Sequence, residues 1–446
     1  MIKRIATMLF GKFESHEELS KFLKLALMFG LIIGTYWAMR PIKDSIFDAV
    51  VGGSSLWMAK ILSIIIIAPL VVVYSKLIDK FARHKVFYGI LACYIVMAAL
   101  FALAFMHPTL GLANKVSSPD RLLGWAWYVY VESFGSFIVA LFWVITTDIT
   151  MPESAKRGFP IVSVFGQLGN LFGPWILSAK FLGFSHSAPI VAILAVMMIL
   201  ILFLMYRFMN TTPQYLLTGY HQNQHAADVK DEEPGFLEGL KLLFSHTYLM
   251  GIFFIVSVYE IIITVIDYHF KQAVFASAAG EVEKAAILQD YASYVGLVAL
   301  VCLALGVSNI QRKLGMLASL IMLPILVAFA IVMITWHPSW LQLAFWIMVF
   351  SKAVNYALNQ PTMKQLYIPT SKEARYKSQG WIEMFGSRSA KAMASGGNGY
   401  YKVLGANTYL LIACVASLGL VGVWMLVALS VSKQFNKAIA NDEVVC

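Results

Sequence analysis

The sequence predicts an all-α integral membrane protein of twelve transmembrane helices, laid out as six plus six. Three observations carry that prediction. The 446 residues are 59% hydrophobic and only 13% charged, with a mean hydropathy of +0.73, too little charge for the water-facing surface of a soluble domain. Apolar runs long enough to cross a bilayer, about 20 residues each, recur along the whole length. A polar turn is also written twice, in corresponding places of the two halves.

The first apolar run, Phe22–Met39, is flanked by Lys3, Arg4, Lys12, Lys21 and Lys24 and followed by "RPIKD". No small-residue cleavage site follows it, so it is expected to be a retained helix and not a signal peptide. Spans are expected at roughly 22–40, 56–78, 86–106, 123–147, 159–182, 188–209, 247–270, 287–309, 315–335, 339–360, 379–402 and 407–431. The long polar stretch between the sixth and seventh contains "HQNQHAADVKDEEPG", read as flexible, and "FLEGLKLLF", read as an amphipathic helix on the cytoplasmic surface. The expected organisation is an N-terminal six-helix bundle at 1–209, a cytoplasmic linker at 210–246 and a C-terminal six-helix bundle at 247–446.

The bases fit this count. Lys76, Lys80, Arg83 and Lys85 fall between spans two and three, and Lys156 and Arg157 follow span four. Lys230 and Lys241 lie in the middle loop, and Arg312 and Lys313 follow span eight. Lys372, Arg375 and Lys377 follow span ten, and Lys433 and Lys437 follow the last. With twelve spans all these loops share one side, which the positive-inside rule makes cytoplasmic, together with both termini. Much of the net charge of +10 is thus an orientation signal. Cys93, Cys302, Cys414 and Cys446 have no metal or paired spacing and are read as small hydrophobes. No metal site and no cofactor are expected.

The repeated turn falls where a six-plus-six count requires it. "ESAKRGFPIVSVFG", Glu153–Gly166, follows span four, and "EARYKSQGWIEMFG", Glu373–Gly386, follows span ten. Each has an acid, a base four residues on (Arg157, Lys377) and Phe-Gly at twelve and thirteen, with a shift of 220 positions from Glu153 to Glu373. Parallel halves of six spans are the plan of the major facilitator architecture. Gly166, Gly169 and Gly173 lie on one helix face and provide for close helix packing.

Ionisable groups at membrane depth cost about 2.5–3.5 kcal/mol on insertion scales and persist where they line a wet cavity or meet a partner. Arg40 and Lys43 end span one in "MRPIKDSIF". Glu132 lies inside span four, with apolar residues on both sides. Asp267 lies near the end of span seven with Lys271 four residues on, and Glu260 lies one to two turns earlier. Span eleven carries Glu383, Arg388 and Lys391. The plainer readings are that Arg40, Lys43 and Lys271 are interfacial anchors and that Asp267–Lys271 is only a helix ion pair. Arg388 and Lys391, three apart on a glycine-rich span, repel one another unless an anion or acid answers them. Because these groups come from spans one, four, seven and eleven, they are read as one site in a central cavity: cations for an anionic substrate, carboxylates to neutralise them in its absence. No phosphate-binding loop of a nucleotide-hydrolysing motor is present, so gradients must drive the chain.

"RPIKDSIF" (Arg40–Phe47), "VESFGSFIVALFW" (Val131–Trp143), "ESAKRGFPIVSVFGQLGN" (Glu153–Asn170), "MKQLYIP" (Met363–Pro369) and "GSRSAK" (Gly386–Lys391) resemble the plastidic and bacterial ATP/ADP translocases, the nucleotide transporter family of plastids and intracellular bacteria. The resemblance covers about residues 18–430. It implies a twelve-span major-facilitator-like fold and exchange of host ATP for bacterial ADP and phosphate, or uptake of other nucleotides. It also implies functional roles for Lys43, Glu132, Asp267 and Lys391. Three departures bear on which nucleotide is carried and how transport is coupled. The family's usual Glu is Asp267 here, its F-W-x-x-A-N motif reads "FWVITT" with Thr147 in place of the amide, and His269 stands beside Phe270-Lys271.

The expected function is therefore nucleotide transport, foremost ATP/ADP antiport, in a bacterial inner membrane. The expected partners are ATP, ADP, phosphate or other nucleotides and the lipid bilayer, with no nucleic acid. Lys43, Arg388 and Lys391 would meet phosphate oxygens, with Arg40 and Lys271 beside them. Glu132 and Asp267 would pair with these bases or meet amino and ribose donors. Tyr36, Trp143, Tyr268 and Phe385 are candidates for stacking on the base. The alternatives are a proton-coupled symporter of nucleotides or another organic anion, with Glu132 as proton site, and a non-transporting receptor or scaffold, which the in-membrane charges disfavour.

Overall fold

In hydrocarbon every backbone N–H and C=O must be satisfied within the chain, and a helix does this segment by segment. The computed structural model describes residues 13, 15–217, 241, 243–304, 309–371, 381–441 and 443–445, and among them there is no strand. Twelve helices follow the expected spans in order: α1 (His16–Val50), α2 (Leu56–Lys80), α3 (Arg83–Met106), α4 (Leu122–Asp148), α5 (Pro152–Ile176), α6 (Ala188–Thr211), α7 (Thr247–Ser277), α8 (Glu281–Ala304), α9 (Asn309–Trp336), α10 (Leu341–Val354), α11 (Ser387–Asn398) and α12 (Ala406–Asn441). α10 continues through a π-turn at Asn355–Asn359 into Gln360–Gln365, and a second π-turn, Trp381–Gly386, leads into α11.

Among the described residues ten helices are long and apolar enough to cross a membrane. The two that fall short, α5 and α11, are the fifth of each half. α5 opens on "PESAKRG" and carries Gln167 and Asn170, and α11 reads "SRSAKAMASGGN". In α5 the glycines serve close packing. A Cβ on Gly169 would lie 2.2 Å from the carbonyl oxygen of Gly30, and one on Gly173 2.4 Å from that of Gly34, so α1 and α5 meet backbone to backbone.

α1 extends past the expected end near 40 to Val50, straight through Pro41. Ser15 caps its start, accepting from the Glu18 N–H at 3.0 Å, with Glu17 and Glu18 in the first turn where the helix dipole favours acids. Lys43 therefore lies inside a helix and not at its end. α7 likewise runs past 270 to Ser277, which places Asp267 and Lys271 within it.

The chain divides into two compact units, Met1–Lys230 with Ala278–Gly296, and Asp231–Ser277 with Leu297–Cys446. In the first, α1 packs on α4, α5 and α6, and α3 packs on α4 and α6. In the second, α7 packs on α10, α11 and α12, and α9 packs on α10 and α12. Each of these pairings thus recurs six helices later. The repeated Phe-Gly turn shares in this. Gly166 lies under the ring of Phe29 on α1, and Gly386 under the ring of Phe253 on α7, each so close that a Cβ would approach the ring within 2.5 and 2.6 Å. Glu373 and Lys377 of the second turn fall outside the described residues, as do residues 218–240 of the linker.

Candidate functional site

Each unit brings a base from one helix against a carboxylate from another. In the first, Lys43 on α1 forms an ion pair with Glu132 on α4, and its Nζ also lies 3.5 Å from Asp44 Oδ1 and 4.1 Å from the centroid of the Tyr128 ring. Lys43 is 2% exposed whereas Glu132 is 30% exposed, so the lysine is held inside the bundle and the carboxylate is open to an accessible space. An interfacial anchor would show the reverse, with its ammonium in water. Arg40, one turn earlier, stacks over the rings of Trp37 and Tyr36 at 4.8 and 5.7 Å, the geometry of a cation–π contact.

In the second unit, Lys391 on α11 lies 3.3 Å from Glu260 Oε1 on α7, and the Ser387 hydroxyl donates to the same oxygen at 3.1 Å. Lys391 is 45% exposed and Glu260 16%. Arg388 shares the Lys391 face, one turn away. Asp267 is met by Lys271, four residues on, at 3.0 Å. The acid facing Lys391 is therefore Glu260, two turns before Asp267 on α7. The signal was available: 260 and 267 are seven apart and share one face of α7.

Of the aromatic candidates, Tyr36 and Trp143 are partly exposed. Trp143 is held edge-on between Phe29 and Phe159, at 5.2 and 5.3 Å. Tyr268 is 1% exposed against Tyr401, with no open face for a base. The Phe385 side chain lies outside the described residues. His269, beside Tyr268, has Nδ1 3.0 Å from the Tyr401 hydroxyl and Nε2 3.0 Å from the Pro338 carbonyl, which gives it a bracing role.

A second polar cluster, within the first unit, ties the start of α8 to α1 and to the residue before α6. Glu281 Oε1 accepts from the Ser187 hydroxyl at 2.5 Å and the Ser45 hydroxyl at 3.2 Å, and its Oε2 accepts from the Ser187 N–H at 3.1 Å. Lys284 meets Asp48 at 2.7 Å. Ser45 and Asp48 follow Lys43 on α1, so one helix carries both clusters. A cavity of about 780 Å³ lies elsewhere, lined by Arg83, His84, Asp148, Asn210 and Gln214 among others. Asp148, ion-paired with Arg83, is sixteen residues beyond Glu132, about 24 Å along α4, so this cavity is distinct from the Lys43–Glu132 pair.

Residues 3–435 match the family described as TLC ATP/ADP transporter. The chain is 26% identical over 432 residues to ADP,ATP carrier protein 4 of Rickettsia bellii, covering 84% of this chain and 82% of the relative. It is 25% identical over 508 residues to ADP,ATP carrier protein 1 of Chlamydia muridarum, covering 97% and 93%. Among solved structures it resembles the nucleoside transporter NupG, with a TM-score of 0.59, 16% identity and coverage of 93% of this chain and 99% of that one. It also resembles a POT family transporter in complex with a thioalcohol-conjugated peptide, with a TM-score of 0.64, 12% identity and coverage of 92% and 96%. The fold is major-facilitator-like, and the chain is a multi-pass membrane protein.

Proposed function

From the premise that the chain belongs to the TLC ATP/ADP transporter family, we propose that it is a nucleotide carrier that exchanges ATP for ADP by alternating access. The observation that carries this reading is that each unit holds a base against a carboxylate of a neighbouring helix, Lys43 on Glu132 and Lys391 on Glu260. A polyphosphate has the charge and the acceptor oxygens to take such a base from its acid. A charge-assisted contact contributes about 1.5–3 kcal/mol, comparable with what the carboxylate gives up. In this reading Lys43, Lys391 and Arg388 meet phosphate oxygens. Arg40 and Lys271 support them, and Glu132, Glu260 and Asp267 restore neutrality as the phosphates leave. The carrier consists of six-helix bundles at 1–209 and 247–446 joined by a cytoplasmic linker, in a bacterial inner membrane with both termini inside. The distribution of Lys and Arg among the loops supports that orientation.

The test is uptake of labelled ATP by proteoliposomes holding the purified chain and loaded with ADP, competed by a panel of unlabelled nucleotides. Saturable uptake that ADP and ATP suppress is expected. No saturable uptake of labelled ATP, in vesicles shown to contain folded protein, overturns the reading.

A further inference from the structure

We infer that Lys352, on α10, is a further phosphate-binding residue of this carrier, standing opposite Asp267 and Glu260 in the second unit. The inference deepens the nucleotide-carrier reading and rests on it. Two independent observations place the residue. The first is the internal repeat. The shift of 220 that carries Glu153 onto Glu373 carries Glu132 onto Lys352. It also carries the bounds of α4, 122 and 148, to 342 and 368, close to those of the span Leu341–Gln365. On the first helix of each half, Phe29 and Phe253 each cover the glycine of the repeated turn, a shift of 253 − 29 = 224. That same shift carries Lys43 onto Asp267. The ion-paired positions of the first unit, base on α1 and acid on α4, therefore correspond to an acid on α7 and a base on α10 in the second. The chemistry is kept and the signs are exchanged.

The second observation is the packing of α7 on α10. The Tyr248 hydroxyl donates to the Leu366 carbonyl at 2.7 Å, and the rings of Phe270 and Phe345 lie 6.2 Å apart. These two contacts fix the helices antiparallel and in register. Lys352 is seven residues from Phe345, so it lies level with about residue 263 of α7. That is between Glu260 and Asp267, within roughly 4–6 Å of each in depth. Seven residues also keep it on the Phe345 face. The outer stripe of α10 is marked by Trp346 and Phe350, 42% and 48% exposed. Lys352 is partly exposed and points about 160° away from Phe350 around the helix, so its accessible surface is not on that stripe. The π-turn at Asn355–Asn359 begins three residues later, and such bulges recur at functional sites.

The experiment uses the full chain in proteoliposomes, with labelled ATP and two competitors, inorganic tripolyphosphate and adenosine. Lys352→Gln is expected to raise the KM for ATP about tenfold or more and to weaken competition by tripolyphosphate equally, leaving competition by adenosine unchanged. Lys352→Arg, which keeps the charge, should recover most of that loss. If Lys352→Gln does not fold, Asp267→Asn/Lys352→Gln removes the facing acid as well and is compared with Asp267→Asn alone. An unchanged KM and tripolyphosphate competition in the Gln variant, or in the double variant relative to Asp267→Asn, overturns the inference, as does equal weakening toward adenosine. A wild type that takes up no nucleotide overturns the nucleotide-carrier reading, and the inference with it.

Discussion

Lys43 and Lys391 are both paired bases, and burial makes them different residues. Lys43 is 2% exposed, so its removal strands the Glu132 charge. Breaking a buried pair from one side costs about 3–5 kcal/mol, and the partial exposure of Glu132 puts this case at the low end. Removing both partners is cheaper than removing one. Lys43→Gln/Glu132→Gln is therefore expected to melt above Lys43→Gln alone, and strict additivity in thermal melts of the singles and the double would refute the coupling. Lys391 is 45% exposed, and exposed pairs contribute about 0–1 kcal/mol. Lys391→Gln should insert and melt almost as the wild type does while its apparent affinity for ATP falls about tenfold or more, the loss of one charge-assisted contact. Wild-type KM in that variant would reduce Lys391 to an anchor. The same contrast explains what sequence could reach. Charge in an apolar run singles out Lys43, Glu132, Asp267 and Lys391. Partner choice depends on helix rotation, which is why Asp267 rather than Glu260 was expected to answer the bases.

At the scale of elements, α5 and α11 are the two of the twelve helices that are not both long and apolar enough to cross a membrane among the described residues. α5 and α11 trade hydrophobic area for glycine and polar side chains, and α5 gains backbone contact with α1 in return. In lipid no hydrophobic force drives helices together, so such contact carries the association. The glycine spacing in α5 was legible as a packing face, but its counterpart, Gly30 and Gly34 on α1, was not. Neither spacing alone says which helix it meets. Because the Cβ of any residue at 169 would fall 2.2 Å from a backbone oxygen of Gly30, no side-chain rearrangement relieves the clash. Gly169→Ala is expected to lower stability by at least the ~1–3 kcal/mol of an overpacked core, visible as a drop in Tm in detergent. A wild-type melt would show that α1 and α5 separate freely. The polar cluster at the start of α8 was illegible for a different reason. Ser45, Ser187 and Glu281 come from three distant parts of the chain, and none of them carries a charge pattern that points to the others.

For the whole molecule, the open matter is coupling, on which the family reading and a proton-driven reading divide. A proton on Glu132 would neutralise the acid and leave the Lys43 ammonium, 2% exposed, with Asp44 at 3.5 Å and the Tyr128 ring at 4.1 Å. Stranding a buried cation costs several kcal/mol. A phosphate arriving at Lys43 supplies the missing negative charge directly and needs no proton. In the second unit Lys391, 45% exposed, also meets a carboxylate, Glu260, that an arriving phosphate can replace. The substrate anion, rather than a proton, is thus the natural exchange partner of the carboxylates, and one nucleotide is the natural replacement for another. ADP inside the vesicles is expected to accelerate entry of labelled ATP strongly, and a protonophore is expected to leave that rate unchanged. Vesicles without internal nucleotide should fill slowly even with an inward proton gradient. Uptake that ignores internal ADP and collapses with the protonophore would replace exchange by proton-coupled symport, with Glu132 as the group that carries the proton.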